Sequence, residues 1–277
     1  MPINFACICP HPPIIIPEIG GRKTKKVIKT VLAMEKLAEI MARKEPEILI
    51  VISPHGLVYP DRFNVCGMEK LAGDFNNFGA PEVQFKFKND LDLAEKIDQV
   101  ANNKDIKTLL YGKDEPFFGL DHGTLVPLYF LTQKLTRPIK IVPIAYSSQN
   151  QETHLRFGKI LFSILHSLPY DVGLVASGDL SHRLLPISPA GYNESGKKFD
   201  QELIQAIKNK DIETILSFNE DFVEAAGECG LRSILILLGA LSNIEYKPEV
   251  LSYEGPFGVG YAVINFELLN SDVKGVL

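Results

Sequence analysis

Apolar residues fall into two rhythms along this chain. Short, nearly continuous apolar runs, Ile3 to Cys9, Ile48 to Ile52, Ile139 to Ala145 and Val172 to Ala176, read as strands, and a run apolar at every position implies burial on both faces. Arg62 to Gly67, Val83 to Lys88, Lys107 to Tyr111, Val250 to Tyr253 and Val259 to Phe266 read as further strands. Longer segments repeat apolar residues at helical spacing. In Thr24 to Arg43 these are Val27, Ile28, Val31, Leu32, Met34, Leu37, Ile40 and Met41, with lysines opposite. Leu91 to Asn102, with Asn89 or Asp90 as N-cap, Leu125 to Leu135, Glu152 to Leu168, Phe199 to Lys208 and Ile212 to Phe218 are also predicted helices. Asp221 to Leu241 is helical in pattern but broken by Gly227-Glu228-Cys229-Gly230.

The alternation of strands and helices predicts an α/β fold: one domain, with a central, mostly parallel or mixed sheet flanked by helices on both faces. The first two strands form a βαβ unit with a right-handed crossover and are expected side by side. Gly73 to Pro81 and His182 to Lys198 read as loops. Gly112 to Gly119 reads as a lid or rim that carries Phe117 and Phe118. No internal repeat or linker divides the chain.

Composition narrows the function. A net charge of -5 over 277 residues argues against nucleic-acid binding, which needs a basic face. No run approaches the roughly 18 apolar residues of a membrane span. The first residues lack a basic stretch and carry early prolines, so no signal peptide is expected. Four cysteines at irregular spacing suggest no disulfide framework, and the cytoplasm is the expected compartment.

Histidines then mark the ends of apolar runs. His11 follows the first strand within Cys9-Pro10-His11-Pro12-Pro13, and Pro10 cannot continue a central ladder. His55 follows the second within Ser53-Pro54-His55-Gly56. His182 follows another within Gly178-Asp179-Leu180-Ser181-His182. His122, in Leu120-Asp121-His122-Gly123, opens a helical run instead. In open α/β sheets, sites are built at the carboxyl ends of strands. His11 and His55 are therefore candidate metal ligands, and His182 a third ligand or a general base. His122 is a candidate hydrogen-bond donor to a bound oxygen. The glycines of Gly227-Glu228-Cys229-Gly230 each cost about 1 kcal/mol in a helix interior, which points to a turn or a site there. Glu228 and Cys229 are adjacent, so only one is expected to face a metal. A zinc site of Cys7, Cys9 and His11 ranks behind this, because structural zinc usually uses C-x2-C knuckles. His154 and His166 fall inside a predicted helix and receive no role. There is no G-x-S-x-G elbow and no glycine-rich phosphate loop between strand and helix.

These motifs, in this order, resemble the class III extradiol ring-cleavage dioxygenases of the catalytic B-subunit type. Ser177-Gly178-Asp179-Leu180-Ser181-His182, Glu228-Cys229-Gly230-Leu231-Arg232-Ser233 and Tyr253-Glu254-Gly255-Pro256-Phe257-Gly258-Val259-Gly260-Tyr261 extend the match. The whole chain is similar to the branch related to Memo proteins. The resemblance implies a single α/β domain, often in a homodimer, with a non-haem Fe(2+) site on His11 and His55. It implies His182 as the acid/base toward a catechol hydroxyl and His122 as a residue beside bound dioxygen. Dioxygenases of this class use glutamate as the third ligand, whereas Memo-type relatives place a cysteine, so Cys229 is favoured here over Glu228. A thiolate would also suit Zn(2+) or Cu. The expected activity is O2-dependent opening of a small, catechol-like aromatic. The alternative is a metal-binding redox or adaptor protein working with a radical SAM partner, without dioxygenase activity. A hydrolase or lyase using the same pocket ranks third.

Overall fold

The computed structural model describes residues 2–112 and 119–269. Its strands are β1 (Ile3–Cys9), β2 (Ile48–Ser53), β3 (Phe63–Cys66), β4 (Lys70–Phe75), β5 (Ala80–Lys88), β6 (Thr108–Tyr111), β7 (Lys140–Ala145), β8 (Val172–Ser177), β9 (Tyr246–Glu254) and β10 (Tyr261–Leu268). All join one mixed sheet. Its main path runs β4-β5-β7-β2-β8-β1-β10-β9, and β3 branches off β7 to pair with β6. The middle strands β7, β2, β8 and β1 are parallel. The β9–β10 hairpin adds antiparallel to β1, and β4 with β5 forms an antiparallel hairpin at the other edge.

One expectation about order fails. β1 and β2 are not neighbours, because β8 lies between them, pairing Ile8↔Ala176 on one side and Ile52↔Ala176 on the other. Local periodicity sets which face a residue buries, but crossovers set strand order. The consequence is functional: the turn after β8 sits between the turns after β1 and β2.

Besides a single turn at Pro17–Gly20, the α-helices among the described residues are α1 (Ile28–Lys44), α2 (Leu91–Asn102), α3 (His122–Leu131), α4 (Gln151–Leu165), α5 (Glu194–Asn209), α6 (Ile212–Leu216), α7 (Glu220–Ala226) and α8 (Leu231–Ala240). Both faces of the sheet are covered, as the continuous apolar strands require. Ile48, Ile50 and Ile52 pack with Leu93, Phe157, Leu203 and Ile234 on one side. Leu49 and Val51 pack with Met34, Leu37, Leu125 and Leu128 of α1 and α3 on the other. Because strand side chains alternate faces, a one-residue slip of β2 would exchange these two sets.

Several boundaries move for local reasons. Gly73 to Pro81 is not a loop: β4 and β5 occupy most of it around a turn at Asn76–Phe78. In β4 only Leu71 and Phe75 are buried, so an edge strand there looks polar. α5 starts at Glu194, well before Phe199, because Asn193 accepts from Ser195 N as its cap. α3 begins at His122, where Asp121 accepts from Thr124 N. The break at 227–230 separates α7 from α8. Among the described residues no helix is long and apolar enough to cross a membrane. Phe117 and Phe118 lie outside the described residues.

Candidate metal centre

Five segments deliver side chains to one place at the carboxyl ends of the parallel strands. His11 follows β1 and is 2% exposed. Its backbone N–H donates to Asp179 Oδ1 at 2.9 Å, which ties the β1 turn to the β8 turn. His55 follows β2, and its N–H donates to Ser53 Oγ at 3.2 Å. Ser53 Oγ in turn donates to Asp121 Oδ1 at 2.5 Å, linking this turn to the start of α3 and His122. Cys229 arrives from the α7–α8 break. Its approach depends on two glycines: a Cβ on Gly178 would sit 2.2 Å from the Cα of Gly230.

The rings of His11 and His55 lie nearly perpendicular, with Nε2 atoms 3.0 Å apart. Cys229 Sγ is 3.5 Å from His11 Nε2 and 3.6 Å from His182 Nε2. The donor nitrogens of His11, His55 and His122 fall within 4.8 Å of one another. Proximity alone does not make His122 a ligand. An imidazole binds a metal in its ring plane, yet His122 stacks on His55 at 4.1 Å with planes only 26° apart. One ion cannot lie close to both rings in both planes. The 78° between His11 and His55 has the opposite consequence, since their planes cross beside the two nitrogens.

A relay fixes which nitrogen of His11 is bare. Ser177 Oγ contacts the Gly123 carbonyl at 2.5 Å and His11 Nδ1 at 2.9 Å. A hydroxyl has one proton and a carbonyl can only accept, so that proton goes to Gly123. Ser177 must therefore accept from His11 Nδ1–H, leaving the Nε2 lone pair free toward His55 and Cys229. The Gly123 carbonyl is available because the residue four further on in α3 is Pro127, which has no N–H to give it.

The electrostatics of the cluster are those of a cation site. Burial lowers the basicity of His11 well below normal, with His55, His122 and His182 adding to the effect. Burial, then His122, brings His55 down to about 4. His122 and His182 are lowered mainly by burial as well. Burial holds the Cys229 thiol well above its usual range, and Asp179 and Glu228 reinforce this. Neutral imidazoles, with a thiol in contact with His11 and His182, supply lone pairs without a counter-charge. Two nitrogens and a sulfur form the donor set of a borderline divalent ion, so these residues fit a metal.

Glu228 does not join them. Its Oε2 accepts from Leu231 N at 2.6 Å, capping α8, and Arg232 lies 3.9 Å from Oε1. It lines a separate cavity of about 880 Å³ that none of the four site histidines touches. A second cavity, about 380 Å³, opens directly on His55 and His122 and is walled by Phe78, Tyr111 and Pro143. Cys7 and Cys9 place their sulfurs 3.5 Å apart within the buried apolar core. His154 is buried in α4 between two carbonyls.

Sequence reasoning assigned no role to Ser53, Ser177 or Asp179. Both serines are the last residue of a parallel strand ahead of a histidine turn, and that shared position was the available signal.

A family sequence model described as the catalytic LigB subunit of aromatic ring-opening dioxygenase matches residues 5–264. Protein CA_C1420 of Clostridium acetobutylicum is 38% identical over 99% of this chain, which spans 59% of that protein's length. A MEMO1 family protein of Methanosarcina barkeri is 25% identical over 81% of this chain and 88% of its own. A 4,5-DOPA dioxygenase extradiol of Beta vulgaris is 25% identical over 66% of this chain and 67% of its own.

Proposed function

Because the chain belongs to the family of catalytic LigB subunits of aromatic ring-opening dioxygenases, in its MEMO1-related branch, we propose that it holds one divalent metal ion on His11, His55 and Cys229 and opens a catechol-type ring with O2. The ring carbon–carbon bond beside the diol breaks and both oxygen atoms of O2 enter the product, so no external reductant is needed. Fe(2+) is the ion of this reading; Zn(2+) or copper also suits a set containing a thiolate. Bound iron supplies Lewis acidity and a path for electrons between diol and O2.

The chain's own groups do the rest. Burial lowers the basicity of His182 and so favours its neutral form, and its Nε2 lies beside the Cys229 sulfur; it is the group this reading assigns to take a phenolic proton. His122 donates toward an oxygen held beside His55. The cavity of about 380 Å³ suits one aromatic ring, and Phe78 and Tyr111 offer it apolar walls.

The observation that supports this most is the meeting of His11, His55, His182 and Cys229, drawn from four distant segments. Loading metal-free protein anaerobically with Fe(II), adding a catechol panel and admitting oxygen tests it. Ring-cleavage absorbance with matching O2 uptake is expected. Neither signal with any catechol would overturn the dioxygenase activity.

One observation favours a second reading. The thiol of Cys229, and not the carboxylate of Glu228, faces the histidines, and a softer site suits a metal-binding redox or adaptor protein. In that reading the protein works with a radical SAM partner. Copper or zinc in the purified protein, with activity only beside the partner, would favour it.

A further inference from the structure

The closing motif from Tyr253 to Tyr261 has no part in the metal set, yet it borders the His182 turn. Asp200, in α5, is fully buried. Its Oδ1 accepts from Ser181 N at 2.8 Å, the amide just before His182. Its Oδ2 accepts from Tyr253 Oη at 2.6 Å. Gly260 makes this possible: a Cβ there would lie 2.1 Å from Asp200 Oδ2. The same glycine brackets the turn, accepting from Leu180 N and donating to Ser181 O, both at 2.8 Å. From the other side Ser181 Oγ donates to Ala226 O at 2.7 Å, and His182 N donates to Gly227 O at 3.3 Å. The chain leading into His182 is therefore tied to three separate segments. Without an acceptor oxygen at 200, the Ser181 N–H would lose this partner and be left buried.

We propose that Asp200, oriented by Tyr253, is the positioning residue that aims His182 at the metal centre. This rests on the reading of His182 as the acid/base. A helix-borne carboxylate buried away from solvent is otherwise hard to account for, because burial pushes its pKa up to about 7 and only Tyr253 and Ser181 draw it back. Removing it frees the turn while leaving His11, His55 and Cys229 untouched.

Asp200→Ala, Asp200→Asn and Tyr253→Phe, each loaded anaerobically with Fe(II), test the proposal through three readouts. Metal content should equal wild type in all three. In the same proteins loaded with diamagnetic Zn(II), the histidine ring NMR signals should shift or broaden for His182 and stay fixed for His154. The doubly deprotonated fraction of bound 4-nitrocatechol, visible in its spectrum, should fall in Asp200→Ala. Ring-opening kcat should fall there by about 10- to 100-fold with KM unchanged, the effect of misplacing one catalytic group. Asp200→Asn, which keeps an acceptor for Ser181 N, should recover much of this, and Tyr253→Phe should lie between. An unmoved His182 signal, or metal lost as in His11→Ala, overturns the positioning role. A moved His182 signal with wild-type protein that binds no 4-nitrocatechol instead overturns the reading of the site.

Discussion

Cys229 Sγ and His11 Nε2 lie 3.5 Å apart although 218 positions separate them in the chain. Glu228, the residue just before it, turns the other way to cap α8. Cys229→Ser should therefore weaken metal binding by at least about tenfold, the scale seen when a site loses a supporting group. Glu228→Gln should leave metal content unchanged and lower the melting temperature, because it weakens a buried helix cap. Metal analysis after dialysis, with thermal melts, separates the two residues; the reverse pattern would reassign the third ligand.

His11→Ala and His55→Ala should lose the metal outright. His182→Ala should retain it and lose proton transfer, seen as a fall in kcat with the metal still bound. If His182→Ala were as metal-poor as His11→Ala, its place would be among the ligands.

The Ser177 relay gives a subtler expectation. Ser177→Ala removes the acceptor that holds the His11 Nδ1 proton, and metal affinity should drop by about 10- to 100-fold with the fold intact. Pro127→Ala restores an N–H that competes for the Gly123 carbonyl, so it should weaken the metal less but in the same direction. Titration of metal-free protein with Zn(II) against a competing chelator measures both. Equal affinity in all three proteins would remove the relay from the account of His11.

Asp200 also links stability to pH. Burial raises its folded pKa to about 7, against roughly 3.9 in an unfolded chain. The unfolded form thus releases this proton first, so the stability associated with the protonated carboxyl is full below about pH 4 and lost as pH rises toward 7. Asp200→Asn should show a flatter dependence of melting temperature on pH between 4 and 7 than wild type. Parallel curves would mean that Asp200 ionises normally in the folded protein.

Much of this was legible in the chain. His11, His55 and His182 each end an apolar run, and a strand end in an α/β sheet is where sites form. The glycine-flanked break at 227–230 announced itself as a helix where propensity forbids one. The choice between Glu228 and Cys229 was not legible from spacing, because neighbours point apart and only the packing of Gly178 against Gly230 decides which faces inward. The place of β8 between β1 and β2 was hidden because it depends on crossovers and not on local pattern. Asp200 was hidden for another reason: an acid in an amphipathic helix ordinarily marks the solvent face, and here it is buried under the His182 turn.

The most direct test of a shared ion on His11, His55 and Cys229 is X-ray absorption at the metal edge of Zn(II)-loaded protein. One sulfur at about 2.3 Å with nitrogens at about 2.0–2.1 Å is expected, and the sulfur shell should vanish in Cys229→Ser. A shell of light atoms only in the wild-type protein would contradict it.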